Sequence, residues 1–124
     1  METYREWEIE FGQTVTTLVT VLDRCQRTCD TNHAPALVAD SDQLLAVARD
    51  VEEWLAARPC PVPSVDMQLT RLARAYLLHG SSLELVAQDV TTVDWSAIED
   101  QLHVLHQLLA RTVTMMQERS LSSE

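Results

Sequence analysis

Cys25 and Cys29 stand four residues apart, and His103 and His106 three apart near the other end of the chain. Thiolate and imidazole are the ligands of tetrahedral zinc centres, and either spacing puts its pair on one side of an α-helix. If the first and last helices run antiparallel and adjacent, the two pairs fall at comparable heights. Cys25, Cys29, His103 and His106 then form an alternative metal-ligand set, with Glu99 adding a carboxylate beside the histidines. Against it, both cysteines fall on an apolar stripe, where a free thiol behaves as a small hydrophobe. The spacings also match no standard zinc motif. The preferred reading therefore assigns no metal and no cofactor.

Support for catalysis is thinner. All nine basic residues are arginines, so lysine Schiff-base chemistry is excluded. Glu52-Glu53 is a lone carboxylate pair, and no duplicated Glu-x-x-His motif exists for a di-iron site. His79-Gly80-Ser81-Ser82 resembles the surroundings of the active histidine in histidine phosphotransfer domains, which are also acidic four-helix bundles. That family places a lysine just before its glycine and the histidine about a turn earlier. Here His79 abuts Gly80 and the lysine is missing, so a phosphoryl carrier on His79 is only a third reading. No catalytic residue is assigned, and the chain is read as a non-enzyme.

The elements that would hold these residues follow from an apolar four-three spacing in four segments. It runs through Phe11–Val15–Leu18–Leu22–Cys25–Cys29, Leu44–Ala48–Val51–Leu55, Val65–Leu69–Leu72–Tyr76 and Trp95–Ile98–Leu102–Leu105–Leu109. Residues so spaced share one helix face, which must be buried. The pattern predicts helices over about 3–30, 41–58, 65–90 and 94–117. Asp40 with Gln43 suggests a capping box for the second, and Ser64 an N-cap for the third. Gly80 offers a possible stop, but the apolar register runs on through His79, Leu83, Val86 and Val90, which favours one long helix, kinked at most. Short connections imply an all-α, up-down-up-down four-helix bundle. It would form a single domain over 1–124 with a frayed tail at 120–124.

Composition bounds the partners. The 124 residues carry 19 acidic against 9 basic side chains, a formal net charge of −10. Such a surface repels phosphate backbones and anionic membranes, so neither nucleic acid nor membrane is expected. The first residues, METYREWEIEFG, are acidic and unlike a signal peptide. With an odd number of cysteines, a reduced cytoplasmic setting is expected. The all-arginine usage fits the codon bias of a GC-rich bacterial genome.

Two features point to a protein partner, or to a second copy of the chain in a homodimer. Met67, Leu78 and Leu85 form an apolar line nearly opposite the seam of the third helix. Val104, Leu108 and Met115 form another on the fourth, beside its seam. A simple bundle does not need both, and contiguous apolar surface marks interfaces. In addition, Asp30, Asp40, Asp42, Glu84, Asp89, Asp94, Glu99 and Asp100 collect at the pole formed by the loop at 31–39 and the turn near 91–94. Such a pole would meet basic surface and orient the encounter. The reading is a small acidic interaction module (adaptor, inhibitor or chaperone-like partner).

Overall fold

The computed structural model describes residues 3–122. Within them, α1 (Tyr4–Thr31), α2 (Leu37–Ala57), α3 (Pro63–Ala87) and α4 (Trp95–Ser122) are joined by short connections, two of which contain single 3-10 turns at Ala34–Ala36 and Val90–Thr92. The helices alternate in direction: α1 packs on α2 and α4, and α3 on α2 and α4, as an up-down-up-down bundle requires. Among the described residues no helix is long and apolar enough to cross a membrane.

The ends of the helices show local chemistry yielding to packing. Thr3 caps α1 by accepting a hydrogen bond from the Glu6 N–H at 3.2 Å. The helix stops at Asn32, whose φ of 48° is left-handed and whose N–H reaches the Cys29 carbonyl. The expected capping box at Asp40 is not used. Leu37 is drawn into the core, so α2 begins there, a turn early, and Asp40 is buried inside the first turn instead. Ser64 is likewise not the cap of α3, because Pro63 already takes the first helical position, where its missing N–H costs nothing. The tail does not fray at 120: α4 runs on to Ser122, and the last two residues lie outside those described.

The third helix is continuous through Gly80, and the reason is contact. A Cβ there would lie 3.0 Å from Leu45 Cγ and 3.1 Å from Leu44 Cβ. The Ser41 hydroxyl donates across the same gap to the Gly80 carbonyl at 2.8 Å. Glycine lets α2 and α3 approach closely while the helix keeps its register.

At the pole where α1 starts and α4 ends, Trp7 stacks on Phe11 with ring centroids 4.7 Å apart, and both meet the edge of Trp54. The Trp7 indole N–H donates to the Arg58 carbonyl at 2.8 Å, and the Tyr4 hydroxyl to the Met116 carbonyl at 3.3 Å. Arg58 lies over the Trp54 ring and pairs with Glu10. The first apolar seam therefore reaches back beyond Phe11 to Trp7 and Tyr4. Their three- and four-residue spacing in the sequence is the signal that extends it.

Candidate docking face on α3 and α4

Two cross-helix hydrogen bonds set α3 against α4. Gln68 Nε2 donates to the Thr112 hydroxyl at 3.2 Å, and His79 Nδ1 meets Gln101 Oε1 at 3.0 Å. Between these pairs each step up α3 matches one step down α4, so the helices stay level. Core-facing Leu69, Leu72, Tyr76, Leu102, Leu105 and Leu109 fill the space behind them.

On the outer side the expected apolar lines are largely open to solvent. Met67 is 61% exposed, Leu78 71%, Leu85 69% and Val104 59%. Leu108 and Met115 are half-buried, and Leu108 packs against the core. Leu78 and Val104 flank a shallow groove of about 310 Å³, floored by Ala75, His79 and Leu105. Levels taken from the two hydrogen bonds put Leu78 nearly abreast of Val104, near the middle of the face.

Charged residues continue the same lines. Arg71 and Arg74 lie four and seven residues beyond Met67, on the α3 stripe that also carries Leu78 and Leu85. Asp100, Val104 and Arg111 share a stripe of α4 in the same way. All three arginines are exposed, and none has an ion-pair partner among the described residues. The sequence reading passed over these arginines, because it sought carboxylate clusters and apolar lines separately. Their helical spacing from Met67 was the available signal.

Toward the upper pole, Glu84, Asp89, Asp94 and Asp100 are exposed, as are Asp30, Asp42 and Glu99. Asp94 also caps α4 by accepting from the Ala97 N–H at 3.1 Å. Asp89 accepts from the Thr91 hydroxyl and N–H, bonds that hold its carboxyl below the usual range and keep it ionised. Asp40 departs from the expected pole: it is only 5% exposed and faces α1. Burial raises its pKa, against the Thr28 hydrogen bond and the Arg24 charge that lower it, and its Oδ2 has no partner among the described residues.

The alternative ligand set is spread over core and surface. Cys25 and Cys29 are buried free thiols. Burial pushes Cys25 up, and burial with nearby Glu99, Asp30 and Asp40 pushes Cys29 up to about 11. Both stay protonated at neutral pH, the form that binds metal poorly. His106 Nε2 meets Gln26 Oε1 at 3.1 Å, and Gln26 in turn donates to Asp30. His103 is exposed and hydrogen-bonded to Gln107. Among the described residues no three His, Cys, Asp or Glu side chains converge in a manner that could hold a metal ion.

His79 is 4% exposed, in the core as its seam position predicts. With Nδ1–H donating to Gln101, Nε2 carries the lone pair and meets no donor. Burial lowers its pKa, opposed by the Gln101 bond, so the ring is neutral near pH 7. A second groove, about 520 Å³, opens between α1 and α4 at Gly12, Val15, Val113, Met116 and Leu121. A Cβ added at Gly12 would meet no atom within 4 Å, so the groove is open at that point.

The fold and face define an all-α four-helix bundle with an apolar, charge-divided outer surface. No family model, curated protein or solved structure matches the chain.

Proposed function

We propose that the protein is a non-enzymatic interaction module that binds a protein partner through the outer face of α3 and α4. The observation that carries this reading is the exposure of Met67, Leu78, Leu85 and Val104 on one continuous face. Leucine and methionine exposed singly are ordinary. Four large apolar side chains aligned along two packed helices are a strip of the kind that interfaces cover. Leu108 and Met115 would form the floor beneath the partner. Glu84, Asp89, Asp94 and Asp100 would orient it, since complementary charge accelerates and aligns encounter more than it tightens binding. The setting that suits this role is the cytoplasm.

A photo-crosslinking residue in place of Val104, compared with one in place of exposed Arg49 on α2, tests the reading in cells that make the chain naturally. Discrete protein adducts from position 104, and none from position 49, are the expected outcome. Equal labelling from both positions, or none from 104, would overturn it.

A further inference from the structure

We infer that the occupant of the α3/α4 face is a second copy of this chain, docked antiparallel across a two-fold axis level with Leu78 and Val104. This rests on the interaction reading above and commits it to a partner.

The face is self-complementary in one orientation. Along α3 the apolar residues are Met67, Leu78 and Leu85, all exposed. Reversing the stripe about the level of Leu78 lays Met67 of one copy close to Leu85 of the other. Leu78 and Val104 then lie near their own symmetry mates. A closed two-fold contact demands this kind of pairing, in which one patch serves both subunits.

Charge selects between the two ways of stacking such faces. Arg71, Arg74 and Arg111 form a cationic band on the side of Leu78 toward the start of α3, and none has an ion-pair partner among the described residues. Exposed Asp100 lies on the same face on the other side of Leu78, toward the acidic pole. Glu84, four residues on from Gly80, instead borders the groove against α2 with Val38 and Asp42. With the copies antiparallel, Arg111 of each turns toward Asp100 of the other, and Arg71 and Arg74 face the Leu85 end of the opposite α3. With the copies parallel, Arg71 and Arg74 would face the neighbour's Arg111, and like charges in register are repulsive. In a chain of net charge −10, a cationic band aligned with the exposed apolar line gives another acidic copy a place to dock.

The size also suffices. With 25 residues in α3, the face is about 37 Å long and roughly 20 Å across two helices, or on the order of 700 Å² per copy. Standard stable interfaces bury about 800 Å² per partner.

The test is a charge swap read by sedimentation equilibrium. Wild type should approach twice the 14.0 kDa chain mass as concentration rises. Arg111→Glu sets acid against Asp100 of the other copy in the homodimer and should weaken it about tenfold or more. Asp100→Arg sets base against Arg111 of the other copy and should do the same. Mixed one to one, the two variants should associate again, because both crossed contacts between positions 100 and 111 are then attractive in the antiparallel arrangement. Leu78→Glu, at a solvent-exposed position, should give a monomer with unchanged helical circular dichroism, and supplies a control if either charge variant unfolds. Wild type that stays monomeric, swap variants that still self-associate, or folded variants that fail to combine would overturn the antiparallel dimer. If wild type is monomeric while the crosslinker at position 104 captures a different protein, self-association fails and the interaction reading survives. If it is monomeric and nothing is captured, both fail.

Discussion

The two ends of this bundle are held by different chemistry. Where α1 begins and α4 ends, Trp7, Phe11 and Trp54 interlock, and the indole of Trp7 and hydroxyl of Tyr4 each find a carbonyl. The opposite half buries Asp40, Ser41 and His79 beside Cys25 and Cys29. There Asp40 Oδ2, Gln43 Oε1 and His79 Nε2 have no hydrogen-bond partner among the described residues. Large rings remove much apolar area from water and leave few polar atoms to satisfy. A buried carboxyl or imidazole with one atom unpaired costs stability instead. Cohesion is therefore concentrated at the aromatic end, while sensitivity to pH resides in the acidic half.

The largest break in this comparison is expected from Trp7→Ala. It removes a fully buried ring that stacks on Phe11 and meets Trp54 edge-on, and should cost about 3–5 kcal/mol, read from urea unfolding. A loss below about 1 kcal/mol would show that the aromatic end is not the anchor. Gly80→Val comes next. Its side chain would collide with Leu44 and Leu45, so a loss of about 1–3 kcal/mol is expected as α2 and α3 separate.

Asp40→Asn should act in the opposite direction. The folded pKa of Asp40 is raised above the ordinary 3.8, so its contribution to stability is full below 3.8 and lost as pH rises through the folded value. Above that value a buried carboxylate with one oxygen unpartnered is a burden. The asparagine variant should then unfold at higher urea, by on the order of 1 kcal/mol, with the gain fading in acid. Wild type proving the more stable at neutral pH would mean that the Arg24 attraction outweighs burial.

The smallest effect is expected from His79→Phe. The folded pKa of His79 is lowered from 6.5, so its contribution is intact above 6.5 and lost as pH falls from there toward the folded value. The variant should flatten that acid-side decline in melting temperature while changing little at pH 8. An unchanged slope would place the titration elsewhere.

Much of the fold was legible because it is periodic. The four-three seams named the helices, placed Cys25, Cys29 and His79 inward, and carried α3 through Gly80. Boundaries were less legible, since Asp40 with Gln43 and Ser64 satisfy capping patterns that Leu37 and Pro63 override from outside the motif. The docking face was half legible. Its apolar line stood out on a helical wheel, but Arg71, Arg74 and Arg111 gain meaning only once α3 and α4 are set level.

The sequence alone determined how many helices there are, which stripe of each turns inward and how acidic the surface is, because periodicity and composition are properties of neighbours along the chain. Tertiary structure decided the rest. It buried Asp40, closed α2 onto Gly80, joined Gln68 to Thr112 and His79 to Gln101, and so lined apolar and charged stripes into one face. Those outcomes depend on distances between residues far apart in the chain, which are settled only when helices compete for the same core.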